Sequence, residues 1–251
     1  MGILLLISSE LIIVIQNCKN AINSLSILTE IMSPIILTLM ASVGAKVSVS
    51  VYTPTVAFLS NGVIVLVSNI ILPLVGAITV INILSNFSDV IKLNKLSELF
   101  STIIKWLFGI IVTVYGLFLS VQGIAVSIFD GISIKTAKYA ISNTVPIVGG
   151  LLKDGLDLVL AGSVIIKNSV GVISIFLMLL ITVSPIIYLT VFSLLLKTVS
   201  AIIEPISDAR ISNICTSISK SLEYVIACVL LVGFMFFVTV LLMIFSANTF
   251  L

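Results

Sequence analysis

Long uncharged runs separated by short charged clusters dominate this chain. Between Glu30 and Lys46 lie 15 uncharged residues, and between Lys46 and Asp89 lie 42. Trp106–Phe129 adds 24, Asn168–Leu196 adds 29 and Tyr224–Leu251 adds 28. A helix needs about 20 apolar residues to cross a bilayer core. Each of the longer runs therefore predicts a membrane helix, and the 42-residue run is long enough for two. Pro54 and Pro73 punctuate that run, and Ser60-Asn61-Gly62 offers a turn near its middle. Tyr139–Leu152 holds only 14 residues between Lys138 and Lys153, and it contains Pro146, Gly149 and Gly150. That pattern suits a re-entrant or broken helix. Pro185 marks a kink or a turn in its run. The expected fold class is an all-α integral membrane protein with six to eight transmembrane or re-entrant helices plus interfacial amphipathic helices.

The N-terminal stretch, residues 2–17, reads as a short or tilted membrane helix. It has no basic leader region, and Glu10 interrupts its apolar run, which argues against a cleavable signal peptide. Leu6 stands where a myristoylation motif needs Ser or Thr. The organisation expected is one polytopic membrane domain over 1–251, with a short helix in 1–20 ahead of the main body from 21 onward. Lys92, Lys95 and Lys105 make one connection basic, but other connections are comparably basic, so charge asymmetry sets no orientation.

Two connecting segments are amphipathic. In 204–223, Ile211, Ile214, Cys215, Ile218 and Leu222 recur at helical spacing, and Asp208, Arg210, Lys220 and many Ser/Thr fill the rest. In 89–100, Leu93, Leu96 and Phe100 oppose Lys92, Lys95 and Glu98. Both suit helices lying in the membrane interface, or alternatively the mouth of a channel.

Composition narrows the chemistry. The chain is 60% hydrophobic with 12 basic and 10 acidic residues, and its mean hydropathy is +1.38. It has no His, which removes His-based acid/base catalysis and the commonest metal-ligand sets. Cys18, Cys215 and Cys228 are odd in number and without motif spacing, so they read as small apolar residues. No P-loop, HExxH or GxSxG pattern occurs. No catalytic centre, metal or cofactor is expected, and a net charge of +2 gives no reason to expect nucleic acid as a partner.

Two sets of residues stand out. Gly109, Thr113, Gly116, Ser120, Gly123 and Ser127 form a stripe with steps of 4, 3, 4, 3 and 4. Small residues let helix backbones approach closely in lipid, where apolar burial alone drives little association. The stripe is either an intrachain packing face or a subunit seam or pore-lining face. The second set is Lys153, Asp154, Asp157 and Lys167. At membrane depth such charges are expensive unless paired or hydrated, and would mark a polar pathway. In a surface turn they would simply be solvated.

The segment DGISIKTAKYAISNTVPIVGGLLKDGLDLVLAGSVIIKNSVGVI, Asp130 to Ile173, resembles the core of the stage III sporulation protein AE family of endospore formers. So does ASVGAKVSVSVYTPTVAFLSN, Ala41 to Asn61, and the plan from Glu204 onward is similar. Family members generally carry a longer N-terminal region with a secretion-type leader, so this chain is expected to be a compact or truncated version. The resemblance implies a polytopic component of the mother-cell membrane around the forespore. It also implies partners: a secretion-type ATPase, small membrane proteins, ring-forming proteins and a forespore-side channel protein. Within such a complex the chain would be a conduit or export gate, embedded in membrane lipid and forming a homo-oligomer. Two other readings stay open, a stand-alone small-solute permease and a non-conducting scaffold for the ring proteins.

Overall fold

The computed structural model describes residues 2–87, 93–144, 149–205 and 209–246, and all regular structure among them is helical. Helix α1 is Gly2–Ser42. A helical rod follows, made of α2 (Lys46–Ala57), a π-helical segment Phe58–Val63, α3 (Ile64–Leu66), a second π segment Val67–Ile71, and α4 (Leu72–Phe87). Three long helices complete the chain: α5 (Asn94–Thr144), α6 (Gly149–Ile203) and α7 (Ala209–Ser246). Among the described residues, five helical stretches are long and apolar enough to cross a membrane. The protein is an all-helical integral membrane protein.

The elements are longer than the uncharged runs that announce them. Residues 2–17 and 31–45 do not form separate helices, because 2–42 is one helix with Pro34 inside it. Nothing in 18–30 stops a helix, and a single proline is tolerated where side chains take up the carbonyls it frees. The carbonyl that Pro34 leaves without its helical N–H is that of Glu30, while Thr38 Oγ1 bonds back to the Pro34 carbonyl at 2.7 Å in the ordinary i−4 way. The stop comes at Gly44, the one described glycine with positive φ (88°). The Ala45 N–H donates to the Met40 carbonyl and the Gly44 N–H to the Ala41 carbonyl, both at 3.0 Å. These two bonds are a Schellman closure, which needs the left-handed residue that glycine supplies.

The expected turn at Ser60-Asn61-Gly62 is absent. Those residues lie in the first π segment, and Lys46 to Phe87 is helical throughout. An open turn at membrane depth would strand backbone polar groups in hydrocarbon, whereas a π segment absorbs the irregular residues with its hydrogen bonds closed internally. Pro185 likewise lies inside α6. The amphipathic stretch 209–223 does not lie apart as its own helix. It is the first part of α7, and Ile214, Cys215, Ile218 and Leu222 are buried. Of the segment 89–100, positions 89–92 lie outside the described residues, and Asn94 onward opens α5.

Contacts divide the chain into two units, one formed by Met1–Ser26, Gly62–Val112 and Leu179–Phe234, the other by Ile27–Asn61, Thr113–Met178 and Met235–Leu251. In the first, α6 and α7 are joined by a ladder of hydroxyls. Ser193 and Ser219 share a bond at 2.7 Å, and Ser200 Oγ donates to the Ser212 carbonyl at 2.9 Å and shares a bond with Thr216 Oγ1 at 2.8 Å. Lys197 and Glu223 pair at 2.6 Å on the half-exposed flank of the ladder. A Cβ at Gly233 would come within 3.1 Å of Thr182, so α6 and α7 approach closely there. All three cysteines are buried and unbridged.

In the second unit, Tyr115 of α5 is buried against α7. Its hydroxyl donates to the Met235 carbonyl at 2.7 Å and lies 2.9 Å from Thr239 Oγ1. Phe58, at the start of the first π segment, packs on Phe118 of α5 with centroids 5.2 Å apart.

Candidate functional site

The small-residue stripe lies on α5, and its described part faces away from the chain's own packing. Thr113 and Ser120 are exposed, and a Cβ built at Gly109 or Gly116 would meet nothing within 4 Å. Bulky apolar side chains border it: Trp106 is 70% exposed, Leu117 63% and Ile110 52%. Ser120 closes its own hydroxyl onto the Gly116 carbonyl at 2.8 Å, as a serine facing an apolar medium must. The surroundings of Gly123 and Ser127 lie outside the described residues, although both sit within α5. The apolar stretch of α5 is the least buried of the five, and that of α7 the most.

The four charged candidates all belong to α6. The surroundings of Lys153, Asp154 and Asp157 lie outside the described residues, as do those of Gly149 and Gly150, which open the helix. Pro146 lies outside them altogether. Lys167 is fully buried, and its Nζ donates to the Ile244 carbonyl at 2.7 Å. Ile244 lies two residues before Ser246, the last described position of α7. A buried ammonium is costly unless it is hydrogen-bonded, and this carbonyl supplies an acceptor.

Three buried side-chain atoms have no hydrogen-bond partner among the described residues: Ser60 Oγ, Ser68 Oγ and Asn168 Oδ1. Each serine sits in a π segment. Elsewhere on the same rod, Ser50 and Thr53 bond back to the carbonyls of Lys46 and Val49 in the ordinary helical way. A π turn displaces the row of carbonyls that such a hydroxyl reaches for.

Two cavities lie among the described residues, one in each unit. In the first, a cavity of about 520 Å³ lies between α1 and α6, beside Pro185, with Asn17, Asn20, Ser24, Ser184 and Tyr188 on its walls. In the second, a cavity of about 330 Å³ lies between α1 and the rod, and it takes in Glu30, Ser33 and Ser60. Among the described residues, no cluster of acidic or cysteine side chains could hold a metal by such ligands alone.

Sequence reasoning missed Tyr115, the hydroxyl ladder and the tight glycines. A single tyrosine within a 24-residue uncharged run was a usable signal for Tyr115. The spacing of Ser212, Thr216 and Ser219 was another, since it places hydroxyls on one helical face.

The sequence matches the family model described as Stage III sporulation protein AE over residues 1–247. It is similar to Stage III sporulation protein AE of Bacillus subtilis (strain 168), with 28% identity over 248 residues. The match covers 99% of this chain and 62% of that relative, so the chain spans less than two thirds of the relative's length. No solved structure matches it.

Proposed function

Because the chain belongs to the stage III sporulation protein AE family, we propose that it forms, as a homo-oligomer, the membrane conduit or export gate of a secretion-like sporulation complex linking mother cell and forespore. The observation that carries this reading is the open face at Gly116, where a Cβ would meet nothing within 4 Å among the described residues while Leu117 beside it is exposed. Small residues flanked by bulky apolar ones suit the close approach of a second helix in lipid. Several copies meeting through α5 would surround a passage. The chain has no nucleotide-binding motif, so opening is assigned to partners: the complex's ATPase and its ring-forming and forespore-side proteins.

Single-particle imaging of the purified protein in lipid nanodiscs tests the proposal. A closed ring with α5 at the subunit contacts, lost in Gly116→Leu, is the expected result. A monomer at all protein concentrations overturns it.

The cavity beside Pro185 favours a second reading, a stand-alone solute permease, because its 520 Å³ and its amide and hydroxyl walls suit a small polar solute. Solute uptake by liposomes holding this protein alone would favour that reading over the conduit.

A further inference from the structure

The cavity between α1 and α6 opens onto an exposed band of amides on α1. Its walls include Asn17, Asn20 and Ser24 of α1 and Ser184, Pro185 and Tyr188 of α6. Pro185 is half-buried and the other five are exposed. Gln16 and Asn23 widen the same exposed face. Bulky apolar side chains continue it in both directions, with Ile12 70% exposed and Ile27 56%. The amides thus interrupt an apolar face, within the stretch Glu10–Ser42 that is long and apolar enough to cross a membrane.

Depth follows from the packing of α6 on α7. The half-exposed pair Lys197–Glu223 marks a level that water reaches. Ser184 lies 13 residues before Lys197, about 20 Å along α6. Gly233, where a Cβ would come within 3.1 Å of Thr182, lies 10 residues after Glu223, about 15 Å along α7. Both helices therefore set this level inside a hydrocarbon core of about 30 Å.

An amide facing lipid at that depth is costly unless its hydrogen bonds are made. Local bonds meet only part of the demand. Gln16 Nε2 donates to Asn20 Oδ1 at 3.1 Å, and Ser24 Oγ donates to the Asn20 carbonyl at 2.9 Å. Each side-chain amide offers two N–H donors and an oxygen with two lone pairs, so most of that capacity still points outward. Polar side chains at membrane depth face a bundle interior or a water-filled cavity. Here the shape favours water. The volume of about 520 Å³ holds more than a dozen waters at about 30 Å³ each. Helices that associate in lipid approach over small residues, whereas Pro185 and the exposed ring of Tyr188 stand on this wall. Among the described residues, no Lys, Arg, Asp or Glu lines the cavity, so its walls favour neither sign of charge.

We propose that this cavity is filled with water and forms the wet wall of the conduit, where Asn17, Asn20, Ser24 and Ser184 solvate small polar solutes of either charge. The assignment to a conduit rests on the reading given above, whereas the water in the cavity stands without it.

The test is cysteine accessibility in the full chain, held in lipid nanodiscs so that both membrane faces meet a charged, membrane-impermeant methanethiosulfonate. Cys18 also lines the cavity and is first replaced by alanine. Asn20→Cys and Ser24→Cys are expected to react more than about tenfold faster than Phe234→Cys, because the thiolate is the reactive form and apolar surroundings suppress it. Phe234 is 63% exposed and adjoins Gly233, so it reports an exposed position at the same level. Rates at both positions as slow as at Phe234→Cys overturn the proposal. So does protection of both together with disulfide-linked dimers of Asn20→Cys, which would put a second copy on this face. A closed ring that labels at neither position keeps the conduit and removes its wet wall. A monomer that labels at both keeps the water-filled cavity and removes the conduit.

Discussion

The ammonium of Lys167 and the carbonyl of Ile244 meet at 2.7 Å, so a fully buried lysine of α6 is tied to the backbone of α7. That relationship assigns Lys167 a structural partner 77 residues away along the chain. Lys167→Met is expected to leave the Ile244 carbonyl short of a donor. The loss should outweigh the relief of unburying a charge and lower stability by about 1–3 kcal/mol. Thermal unfolding in detergent checks the magnitude. Hydrogen exchange should show faster exchange confined to the end of α7.

Gly171 lies one turn beyond Lys167, and a methyl placed there would overlap the side chain of the same Ile244. Gly171→Ala should therefore destabilise by about 1–3 kcal/mol, the usual cost of overpacking. Ile244→Ala should relieve the clash, so the double variant should lose less stability than the sum of the two single losses in a double-mutant cycle.

Gly116 predicts the opposite. A Cβ there meets nothing, so Gly116→Ala should leave the monomer's fold intact or stabilise it by about 0.5–1 kcal/mol through helix propensity. Gly116→Leu should unfold no more easily than the parent chain while losing self-association, as read by crosslinking or mass photometry. A drop in melting temperature equal to that of Gly171→Ala would show that Gly116 packs within its own chain.

Tyr115→Phe removes a hydroxyl that donates to the Met235 carbonyl, which Thr239 Oγ1 also serves at 2.8 Å. Since that carbonyl keeps one donor, the expected loss is about 1 kcal/mol or less. Adding Thr239→Val should cost more than the two single changes together, because both donors then go.

In the hydroxyl ladder, Ser200→Ala loses bonds to both Ser212 and Thr216. Interhelical hydrogen bonds in membranes are worth about 0.6 kcal/mol on average and rarely above 1.7, so a loss of about 1 kcal/mol is expected. The charge pair Lys197–Glu223, half exposed at its edge, should contribute less.

Composition and the spacing of charges were enough to specify a helical membrane protein, because continuous apolar runs of 24 residues or more suit spanning helices, whereas the strands of a membrane barrel alternate apolar and polar positions. The same sequence information singled out Gly109 and Gly116 as members of a small-residue stripe, and the quoted strings from Ala41 and Asp130 pointed to the family. Those features are local, and a single helix displays them. What Lys167 touches was decided only by the packed chain, because its acceptor is a backbone carbonyl of another helix 77 residues onward. The tight glycines are a similar case. Gly171 and Gly233 look no different along the sequence from Gly109 and Gly116, yet only the first pair has a neighbouring side chain where a Cβ would go. The turn expected at Ser60-Asn61-Gly62 failed for a related reason. Turn chemistry describes a residue's freedom in water, and inside a membrane the need to close every backbone hydrogen bond turned that freedom into a π segment.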